Sequence, residues 1–296
     1  MNGVDAALTA GAGLLAGGVN AIAGGGTLIA FPALLAAGLP AVTANITSSV
    51  GLVTGYAGGA LGYRRELAGQ AARLRALGPA AVLGGVVGAV ILLVTPKGAF
   101  KAAVPFLVLL SCALLASQTR LGGLVARRRA ARTTASAAAA TPPAVPSAGV
   151  ATATTQVTLG AEMTVGAEMT VGAGAAQPVT WPTRVGVFLA GAYGSYFGAG
   201  LGVLLLGVLG ILLVDDLQRT NALKTLLSFI VNAVGVVIFL VSAQVAWAYA
   251  GILVVASAIG GVLGARVARR LPAKGLRAGV ITLGVGVAVV LLIRDF

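Results

Sequence analysis

Gly17-Gly18-Val19-Asn20-Ala21-Ile22-Ala23-Gly24-Gly25-Gly26, followed by Pro32, and Gly191-Ala192-Tyr193-Gly194-Ser195-Tyr196-Phe197-Gly198-Ala199-Gly200 are the two stretches that decide how this chain reads. Each glycine cluster interrupts an apolar run. Each is followed by a second apolar arm and then by a polar helix start. Glycine lets the backbone unwind between two helical arms. A pair of such breaks at matching places in two halves of an apolar chain is the sequence mark of a transporter's binding region.

The composition sets the class. Apolar residues make up 58% of the 296 residues, charged residues 9%, and the mean hydropathy is +1.01. Soluble domains carry about 25% charged residues, so this chain lacks the polar surface to cover a water-facing globule. Its apolar runs are continuous and rich in Ala, Leu, Val and Gly, which excludes the alternating pattern of a barrel. An all-α polytopic transmembrane helix bundle is expected. The runs fall at residues 6–23, 27–38, 42–62, 77–95 and 102–118, then at 185–197, 201–214, 221–243, 246–265 and 278–293. The N-terminal Met1-Asn2-Gly3-Val4-Asp5 lacks the positive region of a cleaved signal, so the first run is expected to stay as a membrane segment. Residues 1–118 and 184–296 thus form two membrane repeats. Residues 119–183, with Arg127-Arg128-Arg129, an Ala/Thr/Pro stretch and duplicated Thr-Val-Gly-Ala-Glu-Met units, have no apolar face to bury and are expected to be a disordered cytoplasmic linker.

Charge gives the orientation. Arg64, Arg65, Arg73 and Arg75 follow one span, Arg120 to Arg132 another, and Arg266, Arg269, Arg270, Lys274 and Arg277 lie between the last two. If each broken pair enters and leaves on one side, these clusters share a face with Arg184, Arg219 and Lys224, leaving only Lys97, Lys101 and Arg294 opposite. The positive-inside rule selects that arrangement and makes the rich face cytoplasmic. Each half then crosses an odd number of times, so the halves are inverted repeats. The net charge of +13 is an orienting charge; no basic domain with aromatic readers suggests nucleic acid. Whether each arm is a re-entrant half or a tilted span is open at this stage, because both lengths fit.

The chemistry-bearing residues surround the breaks. Asn20, Gly24, Gly25, Gly26 and Thr27 form the first, and Tyr193, Gly198 and Gly200 the second, with Ser195 and Tyr196 beside it. The arm after each break points its helix N-terminus at the bend, where free N–H groups and the positive dipole end attract anions. Asn45, Ser48 and Ser49 lie on one helical face, as do Asn221, Thr225, Ser228 and Asn232. Hydroxyls and amides on such stripes can ligate a desolvated oxyanion; they can equally hold helices together by hydrogen bonds. Aligning Thr43 with Thr220 sets Thr47 opposite Lys224, Ser48 opposite Thr225 and Gly55 opposite Asn232. Lys224 is a cation at the start of an apolar run, either functional by default or snorkelling to the face.

Absences narrow the function. There is no histidine, Cys112 is the only cysteine, and the seven acids Asp5, Glu66, Glu162, Glu168, Asp215, Asp216 and Asp295 fall at termini, loops or span edges. A disulfide, a metal site, a cofactor and an intramembrane enzyme centre all lack their residues. The usual proton relay is missing too, so proton coupling would involve the anion itself or a boundary acid such as Asp215 or Asp216. The expected partners are a small anionic substrate and the lipid bilayer, with homo-oligomerisation open. A channel or facilitator of an unrelated substrate and a membrane scaffold docking through residues 119–183 are the alternative readings.

The chain resembles the sulfite exporter TauE/SafE family. The resemblance rests on Ala23-Gly24-Gly25-Gly26, Phe31-Pro32-Ala33-Leu34-Leu35, Gly38-Leu39-Pro40 and Ala44-Asn45-Ile46-Thr47-Ser48-Ser49, with a degenerate echo in the second half. It covers about residues 1–120 and 184–296; Gly198-Ala199-Gly200 departs from it in having neither the full glycine run nor the following proline. The resemblance implies movement of small sulfur oxyanions, such as sulfite, sulfonates or sulfoacetate, across a bacterial-type plasma or inner membrane.

Overall fold

The computed structural model describes residues 2–22, 24–140, 179–213, 217–242, 244–267 and 274–295. Eleven helices and no strands make up the described residues: α1 (Gly3–Ile22), α2 (Thr27–Ala36), α3 (Ala41–Gly62), α4 (Arg64–Leu67), α5 (Ala71–Val94), α6 (Lys97–Ala140), α7 (Trp181–Tyr196), α8 (Leu201–Leu212), α9 (Leu217–Ser242), α10 (Trp247–Val267) and α11 (Lys274–Asp295). α1, α5, the first half of α6, α9 and α10 are long and apolar enough to cross a membrane. α2 and α8, with 10 and 12 residues, are only about half that length. The surface is inverted relative to a soluble protein: Leu83, Val94, Phe106, Val241 and Val255 stand exposed on these helices, as a hydrocarbon surround requires.

Small residues set the packing. α1, α3 and α10 run parallel and nearly in backbone contact. Gly13 packs on Leu253, Gly17 on Ser257 and Gly18 on Gly260; Gly51 packs on Leu253, Gly55 on Ser257 and Gly62 on Ala265. A methyl on Gly17, Gly260 or Gly261 would run into a carbonyl oxygen of the neighbouring helix. Ser257 strengthens the trio by donating to the Gly51 carbonyl at 2.6 Å, while Thr54 donates to the Val254 carbonyl at 2.6 Å. In the other half α5 and α7 form the matching parallel pair, with Gly84 on Phe188 and Gly88 on Ala192. Small-residue contacts of this kind drive association where lipid removes the hydrophobic incentive.

α3 and α9 pass in opposite directions. Gly59 meets Thr225, the Asn221 amide donates to the Tyr63 hydroxyl at 2.8 Å, and Val50 clusters with Val236. Because α1 and α3 are parallel, α2 must run back between them, so the first broken pair enters and leaves on one side. The helix contacts also pair across the halves: α1 with α10 and α5 with α7, α3 with α10 and α5 with α9, α2 with α11 and α6 with α8. Arg64, Arg65, Arg219 and Arg266 thereby gather at one end of the bundle, where the Gln70 amide also donates to the Arg219 carbonyl at 3.0 Å. Lys97 and Lys101 sit at the other.

Two boundaries differ from expectation. α5 begins at Ala71 rather than residue 77, and α6 continues as helix from residue 119 to Ala140, where disorder was expected. The reason is local: residues 124–140 are dominated by Ala and Arg, strong helix formers that need no buried face to favour a helical backbone. Residues 141–178, with the duplicated units, lie outside the described residues, as do Asp215 and Asp216.

Candidate functional site

The two glycine breaks meet. α1 ends at Ile22, Gly24 takes a left-handed φ of 82°, and α2 starts at Thr27. The Asn20 side chain holds the bend by accepting the Gly26 N–H at 2.7 Å, and Gly26 packs on the Ala16 carbonyl, well inside the length of α1. The second break turns through Gly198 (φ 81°) and Gly200 (φ 85°) into α8. A Cβ on Gly24 would stand 2.5 Å from the Gly202 Cα, and one on Gly202 would stand 2.6 Å from the Gly24 Cα. A Cβ on Gly198 would lie 3.2 Å from the Thr27 Oγ1. Only glycine at both positions 24 and 202 permits this approach.

The consequence is electrostatic. The N-termini of α2 and α8 converge on one place, each bringing about half a positive charge. Among the described residues the amides of Thr27, Gly200 and Gly202 have no backbone acceptor. On α1, α3, α7 and α9 lie buried polar atoms without a hydrogen-bond partner: Asn20 Nδ2, Asn45 Oδ1, Ser195 Oγ, Ser228 Oγ and Asn232 Oδ1. Buried polar groups are almost always paired, so this concentration of exceptions along α1, α3, α7 and α9 marks a polar region in an apolar bundle. No group of three His, Cys, Asp or Glu that could hold a metal occurs among the described residues.

The residues expected from sequence separate into groups. Asn45 Nδ2 donates to the Tyr196 carbonyl at 3.0 Å, tying α3 to the second break. Thr225 packs its methyl on Gly59, beside Ala21 of α1, and donates its hydroxyl to Asn221 at 2.8 Å. Lys224, 1% exposed, is buried next to it. Ser48 and Ser49 donate to the Asn45 carbonyl at 2.8 and 3.1 Å, bonds that keep both hydroxyls within their own helix. Asn221 joins Tyr63 at the end of α3, eleven residues and about 16 Å along α9 from Asn232. Gly25 and Gly200 face α6, through Leu115 and through Leu114 with Ser111, and so fit the breaks against a neighbour. Tyr193 also turns to α6: its hydroxyl lies 2.8 Å from Ser111 Oγ, which donates to the Ala199 carbonyl at 3.0 Å.

Ser111 and the aromatic cluster were missed by sequence reasoning. A buried hydroxyl within the apolar run at 102–118 was the available signal for Ser111. Phe31 and Phe197 meet edge to face with centroids 5.5 Å apart, and Phe100 meets Tyr196 the same way at 5.8 Å. These rings share the core with Ile46 and Val104, and Ile46 and Val104 line a cavity of about 860 Å³ that also reaches Thr43, Lys97, Lys101 and Gln244. The lysines that line the cavity, Lys97 and Lys101, lie in the first two turns of α6.

The profile of the family described as Sulfite exporter TauE/SafE matches residues 9–291. The chain belongs to the TauE/SafE family. No curated protein and no solved structure matches it. Membership makes this TauE/SafE chain a multi-pass membrane protein of a transporter family, in agreement with its apolar spanning helices. The match runs through both breaks and both polar helix starts.

Proposed function

We propose that this protein is a secondary transporter of small sulfur oxyanions, sulfite first and sulfonates such as sulfoacetate beside it, in the plasma or inner membrane. The anion binds near the midplane where the two breaks meet, and the halves act as inverted repeats around it. The observation that carries this reading is the Gly24–Gly202 contact, which brings two helix N-termini together inside the bundle. Two half-charges and free amides suit a compact oxyanion, because the dipoles attract it and the amides donate to its oxygens. The antiparallel crossing of α3 and α9 supports the inverted relation. The arginine-rich end faces the cytoplasm on the positive-inside rule, with residues 119–183 on that side. The chain's own residues bind and orient the anion; catalysis has no role in this reading. Counterflow of labelled sulfite in proteoliposomes tests it: saturable flux inhibited by sulfonates is expected, and no flux of any oxyanion overturns it.

Two substitutions probe the path. Lys97 stands at the cavity mouth, where a cation raises local anion concentration in a salt-dependent way. Lys97→Glu should raise the apparent KM for sulfite roughly threefold at low ionic strength, with the difference shrinking as salt screens it. A KM equal to wild type in low salt would remove Lys97 from the path. Lys224→Ala should weaken apparent sulfite affinity by roughly fivefold, the order expected for losing a buried cation near an oxyanion. Unchanged affinity and rate would place Lys224 outside the site.

A further inference from the structure

A second anion-attracting place lies at the arginine-rich end, on the outer side of the cluster that Ala21 forms with Tyr63 and Ala265. Arg64 and Arg65 begin α4, and Arg266 occupies the last turn of α10. With Leu61, Gly62 and Val262 they line a cleft of about 440 Å³. The contact of Gly62 with Ala265 brings the ends of α3 and α10 together beside it. All three arginines are exposed, and none has an ion-pair partner among the described residues. Glu66, the nearest acid in sequence, does not line the cleft. The negative ends of α3 and α10 offset part of this charge and leave a positive excess.

The other wall is apolar and faces lipid. Leu61 is 68% exposed beside the arginines. On α10, Val255, Ile259 and Leu263 recur every fourth residue, 62%, 49% and 46% exposed, and the row runs up to Arg266. A soluble anion would use only the guanidinium half of this surface. A phospholipid uses both: guanidinium groups fork onto phosphate oxygens, and an acyl chain follows the aliphatic row. We infer that this cleft binds the headgroup of an anionic phospholipid, whose chain lies along Val255, Ile259 and Leu263. The site is independent of the transported anion.

Native mass spectrometry of the full-length protein with added dioleoyl-phosphatidylglycerol, dioleoyl-phosphatidylcholine or inorganic phosphate tests it. Phosphatidylglycerol should stay bound and phosphatidylcholine should not. The triple variant R64Q/R65Q/R266Q should lose phosphatidylglycerol retention by roughly tenfold, the scale of removing several charge-assisted contacts. Lys97→Gln, a charge removal at the other end, should retain it. Equal retention by the triple variant and wild type overturns the site. Displacement of phosphatidylglycerol by inorganic phosphate alone overturns the two-part, headgroup-and-chain assignment. Should the triple variant not fold, Arg266→Gln is read by the thermal shift on adding phosphatidylglycerol; a shift equal to wild type overturns the site.

Discussion

Gly24→Ala should abolish sulfite transport, by roughly a hundredfold or more, the order expected when positioned groups are displaced by about 1 Å. Two costs combine. Residue 24 sits at φ 82°, which costs an L-residue about 1–2 kcal/mol. The new methyl would also stand 2.5 Å from the Gly202 Cα, so the breaks must separate by about 1 Å to regain an ordinary contact. Separation parts the two helix N-termini whose convergence attracts the anion. Two comparisons divide the effects. Gly38→Ala bears the same kind of backbone cost, at φ 87° with nothing within 4 Å, and should leave most transport intact. Gly202→Ala, inside α8, has no φ penalty but the same collision, and should fail as Gly24→Ala does. Transport by Gly202→Ala near wild type, measured as initial sulfite flux per folded protein, would show that the approach of the breaks is dispensable.

Gly261→Val should give the largest loss of stability. A side chain there would run into the Gly55 carbonyl oxygen, and α10 would have to move away from α3. Overpacking costs about 1–3 kcal/mol even where neighbours can shift, and backbone carbonyls shift least. The thermal midpoint in detergent should fall by on the order of 10 °C, or monodisperse protein should not be recovered. Gly251→Val on the same helix, exposed and with nothing within 4 Å, is the matched control and should be near neutral. Equal midpoints for the two variants would contradict the role given to small-residue packing.

The helices were legible because a segment within the membrane must be apolar along its length, and ten apolar runs stand out in the sequence. The parity of the first broken pair was legible from Arg64, Arg65, Arg266 and their neighbours, since charge placement obeys the bilayer and not the core. What stayed hidden was three-dimensional. Nothing in the run Gly198-Ala199-Gly200-Leu201-Gly202 says that Gly202 is the contact for Gly24 while Gly200 faces Ser111 and Leu114. The polar stripe on α3 was visible, yet Ser48 and Ser49 bond within their own helix while Asn45 reaches the Tyr196 carbonyl. A hydroxyl can choose a partner one turn back on its own helix or across an interface, and periodicity does not distinguish these. The helical run from residue 119 to Ala140 has no apolar face to announce it and follows from alanine's intrinsic propensity alone.

Equilibrium binding of labelled sulfite to purified protein tests the central claim most directly. The account predicts saturable binding to wild type, retained in Gly38→Ala and lost in both Gly24→Ala and Gly202→Ala with each variant folded. Sulfite bound with wild-type affinity by folded Gly24→Ala and Gly202→Ala would contradict it.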